Sequence, residues 1–376
     1  MKALRKLLDN VKPNFEKGGK LEKLHTTFDA FETFLFVPGT PTSGGAHIRD
    51  GIDLKRTMIT VIFAMVPCLI FGMWNVGHQH FLGLGESAEL MDKFFYGLKI
   101  VLPVVAVAYI AGLTVEFIFA TLKGHSINEG FLVTGMLIPL ILPPSIPLWM
   151  VAVGTIFAVI IGKEVFGGTG MNILNVALTA RVFLFFAYPQ YMSGDSVWIS
   201  EMADGVSGAT TLGVVASGNA APLGFMDMFL GFEPGSIGET SALACLIGAA
   251  ILLITGIGSG RVMIPVFLGG YLMALLFNAF GGNALLEMPA HLHLVAGGFA
   301  FGAVFMATDP VTAAQTTTGK YIYGFLVGAM AILIRTVNPA YPEGIMLAIL
   351  LMNVFAPLID HYVVQSNVQR RLKRAK

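Results

Sequence analysis

Apolar residues in this chain run in long blocks, broken by short polar joints, and the blocks have the length of membrane crossings. A bilayer core about 30 Å thick takes about 20 helical residues. On that measure the segments 57–76, 98–121, 127–142, 146–162, 173–189, 240–257, 262–280, 291–308, 320–337 and 344–364 are predicted to span it. The first 56 residues differ: they are polar and lysine-rich, with apolar positions at helical spacing. Leu4, Leu7, Leu8 and Val11 share one face, and Phe28, Phe31 and Leu35 share another. A basic helix with an apolar stripe suits the membrane interface; docking on a neighbouring subunit suits it as well. The pattern divides the chain into a cytoplasmic or interfacial region (1–56), a first membrane block (57–189), an outer loop (190–239), a second membrane block (240–364) and a basic tail (365–376).

Composition agrees with this division. Apolar residues make up 55% and charged residues 12%, against about a quarter charged in soluble domains. The net charge is zero, but its distribution is uneven: ten of the 23 basic residues precede Thr57, and Arg370, Arg371, Lys373, Arg374 and Lys376 crowd the tail. Basic residues beside apolar spans stay cytoplasmic, so both termini are expected there, with an even number of crossings between them. Lys123, Lys163, Arg261 and Lys320 fall on the same side, whereas no lysine or arginine occurs from Val182 through Gly260. That places 190–239 outside; Lys93 and Arg335 run against the rule. The N-terminus has no continuous apolar core of the signal-peptide kind. Cys68 and Cys245 each sit alone in an apolar segment and read as small buried hydrophobes. His78/His80 and His291/His293 read as packing or interfacial pairs. No resident metal and no nucleic-acid partner are expected.

A weak internal repeat organises the spans. Thr134–Pro144 and Ala296–Pro310 each run a glycine-spaced apolar helix into a proline break, with another span following. Asn172 and Asn175 follow in one half, Asn353 in the other. Five spans per half would invert the halves across the membrane, as in many transporter folds whose broken helices meet near the midplane. The expected fold is therefore an all-α polytopic membrane protein of about ten transmembrane helices, in two inverted five-helix repeats with broken helices. Freed backbone groups at the breaks need protein or water around them.

The candidate chemistry begins with Asp204-Gly205-Val206-Ser207-Gly208-Ala209-Thr210, in the basic-free outer loop. Small residues make an accessible turn, and the Thr210 hydroxyl can accept a phosphoryl group carried by a flavin nucleotide. Ser207 and Thr211 are competing hydroxyls; an ordinary external loop is the alternative. With this motif go His47-Ile48-Arg49-Asp50, Asp53-Leu54-Lys55-Arg56, Lys163-Glu164-Val165-Phe166-Gly167-Gly168-Thr169-Gly170, Gly238-Glu239-Thr240-Ser241 and Phe305-Met306-Ala307-Thr308-Asp309-Pro310. Over nearly its full length the chain resembles the B subunits of bacterial Na+-translocating NADH:quinone reductases. It resembles more distantly the D subunits of Rnf-type ferredoxin:NAD+ oxidoreductases, and its long N-terminal region favours the former.

The resemblance implies FMN joined by a phosphoester to Thr210, with Asp204, Ser207 and Gly208 as its setting, and a separate Mg2+-dependent flavin transferase that attaches it. It implies a translocase complex in the bacterial inner membrane: another subunit oxidises NADH, ubiquinone is reduced, and Na+ is driven outward. It also implies a non-covalent riboflavin, placed at Asn172 and Asn175, two asparagines three apart that share one face of a helix opened by a glycine turn; helix capping by Asn172 is the other reading. Thr255-Gly256-Ile257-Gly258-Ser259-Gly260 joins two spans and so fails as a dinucleotide fingerprint. Intramembrane carboxylates are costly and mark ion paths by default. Of Glu116, Glu129, Glu164, Asp309 and Asp360, the expected ion-path residues are Asp360 and Glu129, with structural pairing or capping as the alternative. A transporter of inverted-repeat fold without redox chemistry would lack the covalent flavin.

Overall fold

The computed structural model describes residues 2–16, 18–22, 25–36, 42–48, 54–124, 130–203, 207–338, 341 and 343–375. Asp204 and Glu129 lie outside the described residues. Among these residues regular structure is helical throughout, with no strand. Two N-terminal helices, α1 (Lys2–Val11) and α2 (His25–Leu35), precede the long α3 (Leu54–Leu84) and α4 (Leu90–Lys123). Then come α5 (Gly130–Leu140), α6 (Leu148–Gly162), α7 (Val176–Ala187), α8 (Pro189–Met192), α9 (Thr211–Ala216) and α10 (Phe225–Leu230). The second half holds α11 (Ala242–Ile254), α12 (Gly260–Phe280), α13 (Ala284–Glu287), α14 (Ala290–Val295), α15 (Phe299–Phe301), α16 (Thr317–Val337) and α17 (Ile345–Ala375).

Six helical segments are long and apolar enough to cross a membrane: α3, α4, α12, α16, α17, and α6 together with the 3-10 turn that carries it on to Phe166. The predicted spans 127–142, 173–189 and 240–257 correspond to the shorter apolar helices α5, α7 and α11. The predicted span 291–308 is not one helix. It breaks after α14 at Gly297, whose φ of +63° suits glycine, and resumes as α15 and a π-helical stretch, Gly302–Met306. The chain is thus an all-helical, multi-pass membrane protein.

Small residues set how closely the helices meet. A Cβ on Gly97 would fall 1.6 Å from the Met73 carbonyl, and one on Gly77 1.8 Å from that of Lys93. The α3–α4 crossing is therefore backbone on backbone, a common device where lipid removes the hydrophobic drive between helices. Gly328 against Val266 and Gly269 against Phe325 bring α12 and α16 together just as closely. Beyond these pairs, α4 packs on α6 and α6 on α7, while α16 packs on α17; α3 packs on α11, joining the halves.

Both helix breaks have their freed carbonyls capped from a distance. Beyond α5, the Leu140 carbonyl accepts from the Gly238 N–H (2.7 Å) and the Leu142 carbonyl from the Ile237 N–H (3.1 Å). At the end of α14, Arg335 donates to the carbonyls of His293 (2.7 Å) and Ala296 (3.2 Å). Arg335 is fully buried. Its departure from the charge pattern therefore has a physical cause: it caps a broken helix rather than anchoring a span end.

The N-terminal helices join through Glu32 of α2, which pairs with Arg5 (3.2 Å) and Lys12 (2.8 Å). Phe31 stacks on Phe117 of α4 with ring centroids 5.9 Å apart. Part of the apolar stripe read as an interfacial or docking face is thus used within the chain, while Leu4, Leu7 and Leu35 remain exposed.

Candidate functional site

The Ser207–Thr210 segment enters the short helix α9 directly. Thr210 is the N-cap of α9, and its Oγ1 accepts the Gly213 N–H at 3.1 Å. This satisfies one of the donors left free at a helix start and fixes the hydroxyl in place. Gly208 cannot carry a side chain here, because a Cβ would lie 2.7 Å from the Asp195 carbonyl and 3.0 Å from Met202 Sδ. Of the hydroxyls, Ser207 is exposed and 3.4 Å from Asp195 Oδ2, Thr210 is half-buried, and Thr211 is buried.

Thr210 borders a cavity of about 320 Å³, whose walls include Arg181, Phe185, Asp195, Trp198 and Tyr341. That volume lies within the range of small-molecule sites, roughly 300–1,000 Å³. The Tyr341 hydroxyl, buried at this wall, has no hydrogen-bond partner among the described residues.

On its other side Thr210 borders a buried ionic cluster. Arg181 of α7 donates to Glu239 (2.7 Å), Glu343 (3.2 Å) and Ser236 Oγ (3.3 Å). Glu233 Oε1 accepts the Gly297 N–H at the helix break (3.2 Å). Burial pushes the Glu233 carboxyl up to about 7, well above the ordinary carboxylate range. Glu239 is pushed upward by burial too, against the pull of Arg181. Sequence reasoning did not select Arg181, Glu233, Glu239 or Glu343. Two signals were present: Arg181 is the last basic residue before the basic-free stretch, and Glu239 stands in one of the matching motifs.

A second cavity, of about 380 Å³, lies at the other end of α7. Its polar lining includes Asn172, Asn175, Lys163, Thr169, Thr308 and Asp309. The two asparagines thus meet at one cavity, but not along a helix face as expected. The α-helix begins only at Val176; Asn175 is its N-cap, accepting from the Leu178 N–H at 3.2 Å, while Asn172 bonds the Leu174 carbonyl at 3.1 Å. The turns of Gly167, Gly168 and Gly170, all at positive φ, hold the chain off the helix for longer than the apolar pattern suggests.

The intramembrane acids separate by role. Glu116 is buried against Lys163, and Glu164 pairs with Lys123 at 3.4 Å. Asp309 closes a turn, accepting from the Val311 N–H (3.2 Å) and Thr312 Oγ1 (2.9 Å). Asp360 reaches from α17 to the start of α16. It accepts from the backbone N–H groups of Gln315 (2.6 Å) and Thr316 (3.0 Å) and from Thr316 Oγ1 (2.5 Å). His80 stacks on Tyr96 at 3.8 Å, and His293 bonds the Leu285 carbonyl at 3.1 Å; both are buried. Cys68 and Cys245, remote in sequence, lie side by side with Sγ atoms 3.8 Å apart.

A helical membrane protein with two ligand-sized cavities at opposite ends of one buried helix defines the class. The chain belongs to the NQR2, RnfD, RnfE family, whose model matches residues 41–369. It is 52% identical to the B subunit of the Na(+)-translocating NADH-quinone reductase of Ectopseudomonas mendocina (strain ymp), over 99% of each chain. It is 50% identical to the protein of the same name from Azotobacter vinelandii (strain DJ / ATCC BAA-1303), again over 99% of each. The corresponding protein of Chromohalobacter salexigens is also 50% identical, over 99% of this chain and 97% of its own.

Proposed function

We propose that this protein is the membrane-embedded B subunit of an Na+-translocating NADH:ubiquinone reductase of the bacterial inner membrane. It carries FMN on Thr210 and takes part in passing electrons toward ubiquinone. One observation carries the flavin assignment: the Thr210 hydroxyl is held at the edge of the 320 Å³ cavity, while its neighbour Thr211 is buried. The residues fit such a group. Gly208 keeps the backbone close to the Asp195–Met202 loop, Arg181 supplies a permanent positive charge at the wall, and the Tyr341 hydroxyl is free to donate. Ser207 lies three residues before Thr210, and Asp204 belongs to the same motif. A bound flavin supplies the redox chemistry, and the protein supplies its position and electrostatics. A flavin transferase is the implied maturation partner. Loss of the fluorescence of the denatured protein band on removal of the Thr210 hydroxyl is the test.

Riboflavin is assigned to the 380 Å³ cavity, with Asn172 and Asn175 as its hydrogen-bonding residues. The Asn175 cap at one end of α7 and Phe185 near the other are ten residues apart, about 15 Å along a helix. One rigid element would then position both flavins. Asn172→Leu is expected to lower the non-covalent flavin extracted from the purified complex several-fold and to leave band fluorescence unchanged. Asn172 is the better choice for this test because Asn175 also caps α7. Equal extractable flavin in mutant and wild type would remove the assignment.

The fold reading is two inverted five-helix repeats, supported by the matching packing of α4 on α6 and α12 on α16 and by the paired helix breaks. Both termini are placed in the cytoplasm and 190–239 outside. Ser217 is exposed, so Ser217→Cys is expected to react with an impermeant thiol reagent on intact spheroplasts. Reaction only after the membranes are opened would reverse the topology. Asp360 is kept as a proposed ion-path residue, yet its three accepted hydrogen bonds favour helix capping. Glu129 rests on sequence alone. The Rnf-type reading is the weaker one, given full-length identity near one half to B subunits of sodium-translocating reductases.

A further inference from the structure

Between Thr210 and the helix break at Gly297 lies a third, much smaller cavity, of about 10 Å³. That is room for one water-sized particle. Its lining includes Thr210, Glu233, Glu239, Gly297, Gly298 and Glu343. Glu233 and Glu239 are each 2% exposed, and one oxygen of each, Glu233 Oε2 and Glu239 Oε1, has no hydrogen-bond partner among the described residues. The room is kept by glycine: a Cβ on Gly298 would sit 2.7 Å from Glu239 Oε1.

The charges do not balance. The cluster holds two cations, Arg181 and Arg335, against three carboxylates, Glu233, Glu239 and Glu343. His293 adds no charge in its hydrogen-bonding arrangement: it faces the Leu285 carbonyl through Nε2 and Arg335 through Nδ1, a pattern that suits one protonated ring nitrogen. Ser236 and Thr240, which also line the cavity, are neutral. With all three carboxylates ionised, one negative charge is left over among the side chains, before a flavin phosphate on Thr210 is counted, and an uncompensated charge in a buried site is strongly unfavourable. One monovalent cation offsets that surplus, and the volume suits a small, dehydrated one. Hard cations take oxygen ligands, and helix breaks are where membrane proteins bind them.

We propose that this pocket binds a single Na+ between Glu233 and Glu239, with Glu343 completing the charge, directly beside Thr210. The choice of Na+ over another small cation rests on the reading of this protein as part of a sodium pump; the pocket itself does not.

The intact purified complex tests it. An apolar carbodiimide modifies buried protonated carboxyls, and mass spectrometry reads the modification at Glu233 and Glu239. Na+ is expected to suppress it several-fold relative to K+ at equal ionic strength and pH. In Glu233→Gln, which keeps the shape and removes the surplus charge, Na+ protection of Glu239 is expected to disappear. The half-saturating Na+ concentration for quinone reduction is expected to rise on the order of tenfold. Glu233→Asp is expected to recover part of the protection. Modification equal in Na+ and K+ overturns the site, and a dependence on pH alone assigns the pocket to a proton instead. If Glu233→Gln does not assemble, the wild-type comparison decides by itself. Band fluorescence is recorded on the same samples. Its absence with Na+ protection intact would overturn the flavin at Thr210 and leave the cation site standing.

Discussion

Thr210→Ala is expected to abolish the covalent flavin of this subunit completely while leaving the subunit assembled. The hydroxyl is the only group of Thr210 that can form the ester, and its structural task is small. As the N-cap of the six-residue α9, it accepts one hydrogen bond from Gly213, and losing such a cap costs about 1 kcal/mol. That cost is a minor fraction of a typical folding stability of about 5–15 kcal/mol. Attachment should therefore be lost and the fold kept. Thr210→Asn separates the two roles further, since asparagine caps a helix as well but offers no hydroxyl for the ester. In-gel fluorescence of the denatured band, alongside the amount of assembled complex, is the measurement. Quinone reduction should fall with the flavin, whereas NADH oxidation by an artificial acceptor should persist. Fluorescence retained in Thr210→Ala, or lost in Thr211→Ala with Thr210 intact, would show that another hydroxyl carries the group.

Arg181→Ala is expected to have the largest effect on stability. Arg181 is 3% exposed and holds Glu239 and Glu343 through separate guanidinium nitrogens. Removing one partner of a buried ion pair costs about 3–5 kcal/mol, because the remaining charge has no compensation. Here two carboxylates lose their cation. The subunit should be nearly absent from purified complex, and residual complex should show a lowered melting temperature. Arg181→Lys keeps the charge but not the fork of donors, so it should be intermediate. Adding Glu239→Gln to Arg181→Ala should recover part of the loss, as coupled neighbours do. An Arg181→Ala complex with wild-type yield and melting temperature would remove the cluster from the account of the fold.

The membrane architecture was readable in the sequence because lipid imposes it: a continuous apolar run has few other places to go. The break at Gly297 was half readable. Glycine spacing before Asp309-Pro310 announced an interruption, but its position depends on Arg335, some forty residues later, reaching back to the Ala296 carbonyl. The start of α7 was misplaced because Asn172 and Asn175 look alike on a helical wheel, and only the glycine turns before them decide which one caps. Thr210 stood out through its small-residue motif.

The charged cluster beneath Thr210 did not stand out. Arg181, the Glu233–Glu239 loop and Glu343 come from three separate stretches, and each alone reads as a span-end charge or a loop acid. Their meaning lies in a meeting that tertiary packing creates, as with Cys68 and Cys245. Asp360 illustrates the converse. A carboxylate in an apolar helix stands out in sequence, yet its bonds to Gln315 and Thr316 give it a structural task.

Peptide mass spectrometry of the native subunit is the most direct measurement of the central claim. The peptide spanning Ser207 to Ser217 should carry the mass of FMN less one water, and fragmentation should place it on Thr210 alone, with Ser207 and Thr211 unmodified. A peptide of unmodified mass from a subunit purified in the active complex, or an increment placed on Ser207 or Thr211, would contradict it.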